Sequence, residues 1–104
     1  MSYIMVSTTL SDKQEAEELG ENIVKNELGA CVQIMGPITS IYSWDGQVER
    51  SKEYLCFIKT KKELYDELED MIKEFHPYDT PEIIASDIVE GSEDYLDWVE
   101  NVTS

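Results

Sequence analysis

"ACVQIMGPITSIYSWDGQVERSKEYLCFIKT", residues 30–60, reads as two long strands joined at Asp45-Gly46. A tight primed turn needs positive φ, which Asp-Gly tolerates, so the pair is a strong hairpin signal. Gly36-Pro37 interrupts the first strand, and a bulge or kink is expected there because proline cannot donate to a ladder. Beyond it Ile38, Tyr42 and Trp44 fall on one side by alternation. On the return strand Tyr54, Cys56 and Ile58 share one face, Leu55 and Phe57 the other, and the middle section "ERSKE" is charged.

This ribbon is longer than its surroundings can cover. About 14 residues at roughly 3.3 Å each reach about 45 Å, whereas a helix of about 17 residues rising about 1.5 Å per residue covers only about 25 Å. The excess carries Ile41, Tyr42, Trp44 and Val48. An exposed apolar ribbon with open edges invites aggregation unless something pairs with it. The simplest partner is a second copy of the chain, so an obligate, cyclically closed homo-oligomer is expected. The competing reading curls the ribbon back over its own sheet.

Outward from the hairpin, "YIMVSTT" is a short apolar run suited to a buried strand. Ser11 and Gln14 then form the S-x-x-Q box of a helix start. Ala16, Leu19, Ile23 and Val24 follow at helical spacing, with Gly29 as the stop. Thr60 and Glu63 suggest a second capping box, and Leu64, Leu68, Met71, Ile72 and Phe75 draw a helical stripe. That helix must finish near His76, because Pro77 pushes its predecessor out of the α region. "EIIASDIV" reads as another strand. Gly91-Ser92 opens a last, acidic-capped helix with Tyr95, Trp98, Val99 and Val102 facing inward. The expected fold is α+β: a ferredoxin-like β-α-β-β-α-β sandwich with a long central hairpin and a C-terminal helix, one domain over residues 1–104.

Eight basic residues face 23 acidic ones, for a formal charge of −15. Nucleic-acid binding runs on phosphate neutralisation by Lys and Arg, so no nucleic-acid partner is expected. Anionic membranes are disfavoured for the same reason, and no apolar stretch approaches the roughly 18 residues of a span. "MSYIMVSTTLSD" lacks the pattern of a secretory leader, so the expected location is cytoplasmic. Cys31 and Cys56 sit in strand-like sequence without metal-ligand spacing and read as reduced core thiols.

"GACVQI", "TSIYSWDGQVERSKEYLCFIKT", "HPYDTPEII" and "GSEDYLDWV" resemble, in register from Thr9 to Val99, the CutA family of divalent-cation tolerance proteins. The resemblance implies a ferredoxin-like protomer in a tight homotrimer, a role in tolerance to copper and other divalent metals, and no established reaction. It also implies an assembly like that of PII signalling proteins, which bind small effectors in clefts between subunits. His76, Tyr78, Pro81 and Glu82 match the family's H-P-Y-x-x-P-E corner, and Lys59-Thr60 its K-T. Tyr42, Trp44, Gly46 and Glu53 match the hairpin pattern, and Tyr95, Leu96 and Trp98 the closing Y-L-x-W. Cys31 holds the cysteine place of A-C-V-N, with Gln33 for asparagine. Inter-subunit clefts or interfaces are thus expected around Cys31, Tyr42, Trp44 and Lys59, and around Tyr78, Tyr95 and Trp98. Members proposed to bind copper carry a further cysteine and a second histidine where this chain has Thr8 and Phe75.

His76, Asp79, Glu82 and Glu53 are the candidate metal ligands, since imidazole with carboxylate suits Cu(II) or Zn(II). One histidine per chain is a thin set, so a neighbouring subunit must contribute. The competing reading places His76 at a helix C-terminus, where the dipole favours an imidazolium and the residue fixes the corner. Catalysis is not expected. Ser40 and Ser43 have no identifiable base, no Gly-rich phosphate loop exists, and Arg50, the only arginine, lies on the charged hairpin. No cofactor is required on this reading, with copper or another divalent cation as the candidate ligand. The alternative is a PII-like effector sensor or a trimeric scaffold.

Overall fold

The structure, a computed structural model, describes residues 2–104. Four strands and three helices alternate as β1 (Tyr3–Leu10), α1 (Lys13–Lys25), β2 (Cys31–Trp44), β3 (Gln47–Lys61), α2 (Tyr65–Phe75), β4 (Ile84–Ile88) and α3 (Glu93–Val102). The strands form one antiparallel sheet in the order β2-β3-β1-β4.

The hairpin is built as its turn residues demand. Asp45 and Gly46 take φ of 51° and 74°, and Trp44 pairs directly with Gln47. At the Gly36-Pro37 break Met35 faces Leu55 and Ile38 faces Glu53, so two residues of β2 oppose Tyr54 alone. This bulge moves the outward set of β2 from odd to even positions. Cys31, Gln33 and Met35 therefore share a face with Tyr42 and Trp44 beyond it. Gly36 is required by close approach: a Cβ there would lie 2.7 Å from Tyr54 Cδ1 and 3.0 Å from the Glu53 carbonyl. The ribbon does not curl back. Its tip leaves Trp44 55% and Val48 79% exposed, and the molecule measures 45 × 25 × 23 Å.

One sheet face meets α1 and α2. Ile4, Val6, Cys56 and Ile58 pack there against Leu19 and Ile23 of α1 and Leu68 and Ile72 of α2. Each large apolar side chain buried in this way stabilises the fold by roughly 1.5–3 kcal/mol. Thr8 and Thr60 lie on the same face with hydroxyls that are buried and unpaired among the described residues. The opposite face is covered only at one end. There α3 is held by Lys61 Nζ, 3.2 Å from Glu100 Oε2, and by the Tyr3 hydroxyl, which donates to Glu100 Oε1 at 3.4 Å.

Four local expectations change. Asp12, not Ser11, caps α1, its Oδ1 accepting from the Gln14 N–H at 3.3 Å. The helix ends at Lys25, and Glu27 at φ 59° makes the turn assigned to Gly29. Thr60 caps nothing, because β3 runs on to Lys61 and a short 3₁₀ turn, Lys62–Leu64, precedes α2. On α3 only Val99 is buried; Tyr95, Trp98 and Val102 remain exposed.

Candidate functional site

Pro77 denies His76 the helical region, and the residue leaves α2 at φ −72°, ψ 132° while its N–H closes the last turn on the Ile72 carbonyl at 2.8 Å. The ring turns inward and is buried. Its Nδ1 accepts from the Tyr78 N–H at 3.2 Å, so Nε2 carries the proton and donates to the Thr9 carbonyl at 2.6 Å. Both nitrogens are committed. In this arrangement the ring ties the corner to the end of β1.

The corner is set against the hairpin. The Tyr78 ring packs against His76 in a tilted contact, 59° between planes with centroids 4.5 Å apart, and its hydroxyl donates to Glu53 Oε2 at 3.0 Å. Burial holds the Tyr78 phenol above its ordinary range; the Ser11 hydroxyl pulls the other way and the Glu53 carboxylate adds to the rise. Across the ladder the Tyr42 hydroxyl and Ser51 Oγ share a hydrogen bond of 2.7 Å.

Between hairpin and corner opens a cleft of about 810 Å³. Of the candidate ligands, Glu53, Asp79 and Glu82 line it, whereas His76 stands behind Tyr78 and does not. Of the expected interface residues, Tyr42, Trp44 and Tyr78 also line it. The others form a second cluster on the sheet face under α3. Lys59 Nζ donates to Gln33 Oε1 at 2.7 Å and lies 5.8 Å from the Tyr95 centroid, Cys31 is the ladder partner of Lys59, and Trp98 meets Tyr95 at 5.5 Å.

Among the described residues, no three His, Cys, Asp or Glu side chains converge as a metal-binding group. One chain therefore does not complete a coordination sphere from the candidate set. Glu49 lines the cleft without having been singled out, and so does Ser40, considered above only as a nucleophile without a base. The two-residue turn contains the signal for both, since it pairs Tyr42 with Glu49 and Ser40 with Ser51 and so puts them on the Trp44 face.

The family model of the CutA1 divalent ion tolerance protein matches residues 4–102. The chain belongs to this family. CutA1 from Oryza sativa, a crystal structure, superposes with a TM-score of 0.98 at 38% identity, covering 100% of this chain and 95% of that one. The structure of the periplasmic divalent cation tolerance protein CutA from Archaeoglobus fulgidus gives 0.95 at 32% identity, over 98% and 99%. The chloroplastic protein CutA of Arabidopsis thaliana is 39% identical over 100 residues, 96% of this chain but 55% of its own length. The chain thus spans about half of that longer CutA relative. These CutA proteins overturn the cytoplasmic expectation: one is periplasmic and another chloroplastic, so membership does not carry a cytoplasmic location. Among the described residues no helix is long and apolar enough to cross a membrane.

Proposed function

We propose that this CutA-family chain acts in divalent-cation tolerance as a non-enzymatic homotrimer, each protomer a single ferredoxin-like domain over residues 1–104. The strand order β2-β3-β1-β4 supports that plan. The observation that carries the assembly is the uncovered apolar surface: Ile41, Trp44 and Val48 on the hairpin, with Met35, Ile84 and Trp98 over the open sheet face. On this reading a copper or other divalent cation is held in the cleft by Glu53, Asp79 and Glu82, and the site is shared between subunits. His76 supports it by fixing the corner.

Calorimetric titration of the oligomer with Cu(II), against a chelator competitor that removes adventitious carboxylate binding, tests the site. Glu53→Gln and Glu82→Gln should each lower the competed affinity roughly tenfold, the loss of one charged oxygen ligand. Unchanged affinity in both variants removes the cleft as the cation site. A second reading, a PII-like effector sensor, is favoured by the size of the cleft, since small-molecule sites run to about 300–1,000 Å³ and an ion needs far less.

A further inference from the structure

The cleft combines three aromatic rings, Tyr42, Trp44 and Tyr78, with four carboxylates, Glu49, Glu53, Asp79 and Glu82. Among the described residues no lysine, arginine or histidine lines it. Glu53 is the decisive group. It keeps only 7% of its surface exposed, its carboxylate has the Tyr78 hydroxyl as its hydrogen-bond donor, and no ion pair neutralises it among the described residues. A carboxylate withdrawn from water without a counter-charge is costly, and an entering cation relieves that cost.

The rings decide which kind of cation. Hard divalent ions take oxygen ligands and waters, and copper or zinc adds imidazole or thiolate; none makes use of an aromatic wall. An ammonium group on an apolar body uses both parts, charge against carboxylate and body against ring faces that attract cations. Two of the rings are already positioned, Tyr42 by Ser51 and Tyr78 by Glu53 and His76. The −15 charge of the chain draws cations toward the surface.

We propose that the cleft binds an organic ammonium ion with an apolar or aromatic body, its charge at Glu53 and its body among Tyr42, Trp44 and Tyr78. This rests on the reading of the cleft as a ligand site and parts from the metal reading in what fills it.

The test is calorimetric titration of the full chain, in whatever oligomer it forms, with benzylammonium and with its neutral counterpart benzyl alcohol. Benzylammonium should bind roughly tenfold more tightly than the alcohol. Tyr42→Leu should weaken it roughly fivefold, and Glu53→Gln roughly tenfold. If Glu53→Gln does not fold, Glu82→Gln at the exposed rim makes the same comparison. Equal affinity for the two compounds, or no benzylammonium binding, overturns the proposal. Copper is titrated separately. A cleft that takes Cu(II) but not benzylammonium retains the metal reading and ends this one; the reverse result does the opposite. A cleft that takes neither, because a neighbouring subunit fills it, ends both.

Discussion

Cys56 lies opposite Thr8 on the helix-covered face, fully buried, and burial pushes its thiol from 9.0 up to about 11. The raised value means that the native chain holds the proton longer than the unfolded chain. The resulting stability is complete below pH 9.0 and is lost as pH climbs toward about 11. In a Cys31→Ser background, Ellman's reagent at about pH 8 should find no reactive thiol in the native protein and one after guanidinium unfolding, because only the thiolate attacks. Prompt reaction of the native protein would contradict the placement. The core position of Cys56 was readable from strand alternation, but Cys31, expected to be a core thiol as well, is only half-buried and lies on the other sheet face. The setting of His76 was readable only in part: Pro77 marks the helix end, but the carbonyl that receives its proton belongs to Thr9, 67 residues away. No local pattern links those two positions.

At the scale of elements, α3 shows how few contacts hold a helix over a half-open face. Lys61 is nearly buried and depends on Glu100 and on the Thr103 carbonyl, 3.4 Å from its Nζ. Glu100→Ala removes the acceptor of both Lys61 and Tyr3 and should lower stability to urea by about 2 kcal/mol. Glu18→Ala, on the exposed side of α1, should change it by less than about 0.5 kcal/mol. Equal effects would mean that α3 is anchored by Val99 alone. The order and type of the strands and α-helices were legible from periodicity and turn residues, as was Ser92 at the start of α3, whose hydroxyl accepts from the Tyr95 N–H, while the caps of α1 and α2 were not. A Thr60 capping box is a local pattern, but Tyr3 pairs with Lys61, and that long-range ladder keeps Thr60 extended. Asp12 outcompeted Ser11 because its extended backbone aims the carboxylate at the Gln14 N–H.

For the molecule as a whole, the mismatch between ribbon and core is the dominant feature, and it was legible from strand length alone. The open sheet face was not, since covering it depends on where a short C-terminal helix lands. If the hairpin tip is buried between subunits as proposed, Trp44→Asp should cost about 2–4 kcal/mol of association energy, the range of an interface hot spot. Sedimentation should then show a smaller particle than the wild type. An unchanged sedimentation coefficient would place Trp44 outside the contact. The sheet also separates the two sulfur atoms of the chain. Cys31 stands beside Lys59 on the face that α3 partly covers, and Cys56 points to the other. Side chains directed to opposite faces cannot be bridged without moving backbone. The chain should therefore form no internal disulfide, and passage from a reducing to an oxidising environment would add no crosslink between its own two cysteines.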